Sequence, residues 1–450
     1  MKIMKPYLLL VIFMIAPICS GNLVKAQLSK DAIKELQEKI PIWLSENDVP
    51  AAGIGIIENG KIKYVKVFGE LEKGVPAPDD AIFNVASITK TITTMLTLTL
   101  VEKGQWDLDE PLYKYWVDPD VADDPLHKLL TTRHVLTHQT GLPNWRRETK
   151  GKLKFNFPPG TKYQYSGEGF EYLRHALENK FSVPFEKLTD SLIFKPLRMK
   201  DTHQSWDSTM DESRFARWHD HMGNKYEKMP YKTGVNAAAD LLTTIEDYCR
   251  FGIYVMEGAY LSSDLFKDMV TSQSNILDHS AIGLGWFIIS GLPNDEYAIY
   301  HRGGQIGVKT IAIFLPKSKR GVVVFTNGEN GMDIYNDIIK QVFDIGDSIY
   351  EYMYYRPNLP EMIYVPDETL KQYIGHYQHP DVEIVSKKEN EITLFLAGLP
   401  KTNLYPRTEN KFFMKEFDLE VEFMKDEAGT VNKLILFLEG NKMFEANKVK

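Results

Sequence analysis

Phe83-Asn84-Val85-Ala86-Ser87-Ile88-Thr89-Lys90 runs straight into Thr91-Ile92-Thr93-Thr94-Met95-Leu96-Thr97-Leu98-Thr99-Leu100-Val101, and the run stops at Gly104. Its apolar content predicts one long helix over Thr89–Lys103, ended by the glycine. Ser87 and Lys90 stand three residues apart at the start of that helix. Positions i and i+3 share a helix face, so Lys90 projects beside Ser87. A serine at a helix start also has unpaired backbone N–H groups and the positive end of the dipole nearby. A buried lysine titrating near neutrality is able to take the serine proton. The same residues also read as an ordinary helix cap, because serine is favoured there.

Working outward, residues 31–47 place Ile33, Leu36, Ile40, Trp43 and Leu44 at helical spacing. Asn59-Gly60 separates Ala52–Ile57 from a β-rich run holding Ile62, Tyr64, Val65 and Val67. That dipeptide between two such runs predicts a two-residue hairpin. Further β-rich runs fall at Ile282–Ile289, Ala298–His301, Lys309–Phe314 and Gly321–Thr326, with a helix over Ile334–Ile345 after them. Strands thus lie at both ends of residues 27–351, with a helical middle between. The expected class is α+β, with distant segments sharing one sheet.

Residues 352–369 hold Pro357, Pro360 and Pro366 and read as a linker, with Tyr354-Tyr355 serving domain packing. Over residues 370–450 short β-like runs recur: Val382–Val385, Ile392–Leu396, Lys411–Met414, Leu419–Met424 and Leu434–Leu438. This predicts a small antiparallel barrel or sandwich.

Residues 1–26 read as a cleaved secretory signal: Lys2 and Lys5, then an apolar run from Tyr7 to Ile18, then Val24-Lys25-Ala26. The run falls short of the roughly 20 residues that span a bilayer. The rival reading is a lipid anchor at Cys19, although Ala16-Pro17-Ile18 suits that signal poorly. The expected location is therefore periplasmic or secreted, with no membrane span after cleavage. A formal net charge of −8 gives no broad basic surface for nucleic acid. Cys249, left alone by that cleavage, reads as a buried inert thiol.

Other stretches add candidate chemistry. Tyr165-Ser166-Gly167 follows Pro158-Pro159-Gly160-Thr161, and a cation beside Tyr165 would lower its pKa enough for base or relay work. The alternative is a tyrosine packed at a turn. His301-Arg302-Gly303-Gly304 ends a β-like run, where glycines permit close ligand approach and a free N–H stabilises an oxyanion. The alternative is a glycine-rich strand end with a solvated histidine. His219-Asp220-His221 shares one side only on a strand and lacks an evident third ligand, so no metal is implied. His134 and His138 lie four apart on an expected helix.

Taken together and in this order, the motifs resemble the serine β-lactamase-related hydrolases. That family includes class C β-lactamases, D-alanyl-D-alanine carboxypeptidases, D-aminopeptidases and esterases. The resemblance runs over about residues 35–345. Besides Phe83–Lys90 it rests on Gly104-Gln105-Trp106-Asp107-Leu108-Asp109-Glu110-Pro111 and Arg133-His134-Val135-Leu136-Thr137-His138-Gln139-Thr140-Gly141-Leu142-Pro143. Pro196-Leu197-Arg198-Met199-Lys200-Asp201-Thr202 and Gly283-Leu284-Gly285-Trp286 extend it. The C-terminal piece, through Leu370, Tyr373, Gly375 and Tyr377, resembles small lipocalin-like β domains.

The resemblance implies a sheet-and-helix sandwich beside an all-helical region. It implies Ser87 as nucleophile, Lys90 and Tyr165 as its proton network, and backbone N–H groups of Ser87 and Gly304 as the oxyanion hole. It makes His134 and His138 structural, and places Gly167, His301, Arg302 and Gly303 at the substrate. It implies no metal or organic cofactor. Two departures stand out. Gly167 sits where many β-lactamases carry a substrate-binding Asn. His301 sits where many relatives carry Lys, and a neutral imidazole does not attract a carboxylate; Arg302 is the residue able to compensate. The expected substrate is a small ester or a D-amino-acid peptide. β-Lactam hydrolysis, or a non-catalytic binding protein on this scaffold, are the alternatives.

Overall fold

Asn59 and Gly60 both take left-handed dihedrals, φ 51° and 70°, the geometry a two-residue I′ hairpin needs. They join β1 (Ala51–Glu58) to β2 (Lys61–Glu72). The computed structural model describes residues 29–227, 234–354, 359–378, 382–388, 391–396, 402–415, 418–438 and 440–449. The proposed signal segment therefore lies outside the described residues. After the hairpin come β3 (Val75–Pro76), β4 (Phe83–Asn84) and, far along the chain, β5 (Leu242–Thr243). Then follow β6 (Ser274–Asn275), β7 (Ser280–Ile282), β8 (Phe287–Leu292), β9 (Glu296–Gln305), β10 (Val308–Leu315) and β11 (Arg320–Thr326).

One antiparallel sheet runs in the order β3-β2-β1-β11-β10-β9-β8-β7-β6, while β4 and β5 pair separately. The strand that follows the first helix thus lies beside the last strand of the sheet, with Ile54 opposite Val324. Side chains alternate across a strand. Ile54, Ile56, Val322 and Val324 therefore meet the helices Lys30–Glu46 and Gly331–Val342 in one core. Val323, Phe325 and Phe314 enter a second core with the helix Ile245–Met256 and the helical region beyond. Cys249 is buried in that second core. Burial pushes its thiol far up, so it stays protonated.

The helix Thr89–Glu102 is buried almost all round. Three of its threonines help make this tolerable: the Thr91, Thr97 and Thr99 hydroxyls donate to carbonyls one turn back, whereas the buried Thr94 hydroxyl has no partner among the described residues.

Three local expectations change. The single run Ile282–Ile289 is two strands, because Gly283–Trp286 makes a turn between β7 and β8. His138 lies past the short helix Thr132–Leu136, in a left-handed conformation (φ 53°), so helical spacing does not relate it to His134. The segment 352–369 is helical at both ends: Gly346–Tyr354 reaches into it, and Asp367–Tyr373 starts after Pro366. Asp367 and Glu368 in the first turn suit that start. Tyr355 lies outside the described residues.

Eight strands between Gly375 and Lys448 form a closed barrel, sealed where Tyr377 pairs with Lys448. Closure removes the edges a sandwich would leave. Tyr373 packs on Phe423 with ring centroids 4.3 Å apart and meets Phe412 at 5.5 Å. The His221 ring of the body lies 4.6 Å from Phe395 of the barrel. Among the described residues no helix is long and apolar enough to cross a membrane.

Candidate active site

Ala86 is a non-glycine residue at φ 46°, buried at the entry to the long helix. Such a conformation is costly and persists only where its surroundings hold it. Here they do. Ala86 N–H donates to Asn84 Oδ1 at 2.8 Å, Val85 N–H to Leu241 O at 3.0 Å, and Thr310 Oγ1 to Val85 O at 3.0 Å. Gln305 Nε2 donates to the same Asn84 oxygen at 2.6 Å, tying β9 to the turn. The strained turn presents Ser87, partly exposed, between the helix and the strand.

Lys90 is fully buried. Its Nζ donates to Ser87 Oγ at 3.3 Å and to Ala238 O at 2.9 Å, and stands 4.7 Å from the centre of the Tyr165 ring. Burial pulls the ammonium down to about 7, opposed by the negative charges of Glu171 and Asp240. A half-deprotonated amine therefore sits in reach of the serine at neutral pH.

Tyr165 completes the cluster, its ring set against Lys90 Nζ and its phenol within the influence of the Ser87 side chain. Burial drives the phenol well above the ordinary value, and neither Ser87 nor the Arg302 charge reverses the shift. The expectation that a neighbouring cation lowers this group is thus corrected: desolvation wins. His138 packs on the Tyr165 ring at 4.2 Å, and its Nδ1 accepts the Ser166 N–H at 3.1 Å. Burial keeps this imidazole neutral.

On β9, His301 and Gly303 face the nucleophile turn. A Cβ on Gly303 would lie 2.1 Å from Val85 O, so only glycine admits this contact. Gly304 follows beside it and is exposed, with space around its position. His301 is buried rather than solvated; Nδ1–H donates to Arg302 O at 2.7 Å, and Nε2 has no partner. Burial and the nearby Lys90 charge pull its titration down to about 3.

Arg302 is not brought to this cluster. Alternation along β9 turns it to the opposite sheet face, where its guanidinium lies 5.2 Å over the Tyr354 ring, near Tyr300 and Tyr335. The expectation that it compensates for the missing lysine is corrected on that ground. Gly167 begins the helix Gly167–Phe181, and its N–H is held by Asn144 Oδ1 at 3.0 Å. A Cβ there would meet the Trp145 ring at 2.8 Å, so Trp145 occupies the space a side chain would need. The Trp145 ring centre lies 6.0 Å from Lys90 Nζ.

His219 Nδ1–H donates to Asn327 O at 3.0 Å. A surface groove of about 810 Å³ lies along Gly104–Glu110 with Arg133, Lys180 and Asp268, and none of Ser87, Lys90 or Tyr165 lines it. The sequence reading did not single out Asn144, Trp145, Glu171, Ala238, Gln305 or Thr310. Ala238 acts through its backbone carbonyl, 148 residues from Lys90, and no side-chain pattern signals that.

The family model described as Beta-lactamase matches residues 30–346. Penicillin-binding protein 4* of Bacillus subtilis (strain 168) is 22% identical over 436 residues, covering 85% of this chain and 92% of its own. Among solved structures, an octameric penicillin-binding protein homologue from Pyrococcus abyssi superposes with TM-score 0.62 at 21% identity, over 92% of this chain and all of that one. D-alanine carboxypeptidase AmpC from Burkholderia cenocepacia gives TM-score 0.59 at 19% identity, over 69% of this chain and 98% of its own. D-amino acid amidase from Ochrobactrum anthropi gives 0.58 at 21%, over 66% and 91%. The antiparallel sheet and its helices agree with that match, and the chain belongs to the Beta-lactamase family of hydrolases.

Proposed function

We propose that this protein is an exported serine acyl hydrolase acting on a small ester or a D-amino-acid amide or peptide. The observation that carries the reading is the Ser87–Lys90 pair: Oγ and Nζ 3.3 Å apart, with the amine fully buried and near pKa 7. Lys90 takes the Ser87 proton as Oγ bonds to the substrate carbonyl carbon. The resulting oxyanion is met by the N–H groups of Ser87 and Gly304. Loss of one such donor typically costs about 10²–10³ in rate. Tyr165, kept protonated by burial, relays a proton to the leaving group as the carbonyl re-forms. Water then attacks the acyl-serine by the reverse proton path.

The walls favour a neutral acyl donor. His301 is uncharged at pH 7, and Arg302 faces the other side of the sheet. Neither supplies a cation for a substrate carboxylate, which weakens the carboxypeptidase and β-lactamase versions of the chemistry. The amidase and carboxypeptidase names among the structural neighbours support an amide acyl donor. Export rests on the signal-like composition of residues 1–26.

The test is rapid-mixing hydrolysis of an activated p-nitrophenyl ester. A stoichiometric burst, absent from Ser87→Ala, is expected. Turnover that survives Ser87→Ala would overturn the assignment.

A further inference from the structure

The carbonyl that holds Lys90 belongs to a loop stitched to two helices. Ala238 O accepts Lys90 Nζ at 2.9 Å. The residue before it is held at both ends: Ala237 N–H donates to Glu171 Oε1 at 2.6 Å, and Thr93 Oγ1 donates to Ala237 O at 2.7 Å. Thr93 lies on the helix of Lys90, and Glu171 on the helix that begins two residues after Tyr165. Ala238 N–H is turned inward to Asn236 Oδ1 at 2.8 Å. Glu171 thus joins the helix behind Tyr165 to the acceptor of Lys90.

Its carboxylate does a second thing. The negative charges of Glu171 and Asp240 oppose the effect of burial on the Lys90 amine. The other titratable groups there, Tyr165, His138 and His301, are uncharged near neutrality. Glu171 is itself paired with Arg174, Oε2 to Nη2 at 3.0 Å, which opposes the upward push of burial on its carboxyl. Arg174 also bonds Glu178 at 2.9 Å.

We propose that Glu171 is a positioning residue for the Ser87–Lys90 pair: through Ala237 it fixes the carbonyl that holds Lys90 Nζ, and it supplies a counter-charge to the buried ammonium. The inference rests on the reading of Lys90 as the base. It separates two contributions, reach and charge, that two substitutions divide.

Glu171→Gln keeps an acceptor oxygen and removes the charge. Glu171→Asp keeps the charge and shortens the reach. Each is followed by the pH dependence of kcat/KM on the p-nitrophenyl ester. Each is also followed by the ¹³Cε resonance of Lys90 in ¹³C-lysine-labelled protein, assigned by its absence from Lys90→Met. In Glu171→Gln both the acid limb and the resonance midpoint are expected to move to lower pH by about half a unit or more. In Glu171→Asp the midpoint is expected to hold, while kcat falls about tenfold with KM little changed. A purely structural role lowers Tm without moving either midpoint, and an unmoved resonance midpoint in Glu171→Gln overturns the inference. If the wild-type acid limb fails to track the Lys90 resonance, the base assignment fails instead, because the resonance reports the amine without turnover.

Discussion

Lys90 works by being deprived of water. Its folded value, about 7, lies below that of an exposed lysine near 10.4. Between those values the unfolded chain binds the extra proton, so stability rises with pH through that window. Lys90→Met is expected to flatten the rise and to raise Tm at pH 6, while abolishing turnover; thermal melts at pH 6 and 9 check it. The same group sets the activity profile. The base is needed deprotonated, so kcat/KM is expected to climb through about pH 7 and then level. Tyr165→Phe removes the relay proton and is expected to cut kcat by about 10²–10⁴. A rate within twofold of wild type would assign that proton to another group. Ser87 and Lys90 were legible because both lie on one short stretch of helix. The direction of the Tyr165 shift was not, because desolvation comes from His138, Phe287 and His301, which are remote in sequence.

At the scale of the element, the nucleophile turn and β9 form one unit. Ala86 is strained, and four side chains and backbone groups brace it: Asn84, Thr310, Gln305 and Leu241 O. Gly303→Ala pushes a methyl into Val85 O. It is expected to cost about 1–3 kcal/mol of stability, read by urea denaturation. It is also expected to lower the burst rate more than a hundredfold, because displacement of about 1 Å at the reacting group is costly. A variant that loses stability yet keeps the burst rate would show that the turn tolerates the shift. The glycines of His301-Arg302-Gly303-Gly304 pointed to close approach in the sequence. Which face of the strand each residue takes was not settled, so the role given there to Arg302 fails.

For the whole molecule, the division into a body and a barrel is a matter of two kinds of burial. The body sandwiches a nine-stranded sheet between helices; the barrel closes on itself. Phe423, buried against Tyr373, Phe412 and Tyr377, sits in the barrel. Phe423→Ala is expected to destabilise the barrel by about 3–5 kcal/mol, seen as a shifted denaturation transition. The burst at Ser87 at 25 °C is expected to stay within twofold. A lost burst would mean that the barrel shapes the acyl site, with the His221–Phe395 contact as the first place to look. The match to penicillin-binding protein 4* covers 85% of the chain, beyond the span of the family model, so the likeness is not confined to the body.

Short-range pattern settled a great deal in this chain. The Asn59-Gly60 hairpin, the long helix behind Ser87, the i, i+3 pairing with Lys90 and the β-rich C-terminal region are each written in neighbouring residues. They depend on backbone preference and periodicity, which act over a few residues. The tertiary structure decided what depends on desolvation and on strand facing. It made the Lys90 amine titratable near neutrality, kept the Tyr165 phenol protonated and His301 neutral, and turned Arg302 away. It also delivered the carbonyl of Ala238 to the lysine. Those outcomes follow from which distant atoms exclude water from a group, and no local stretch of sequence carries that information.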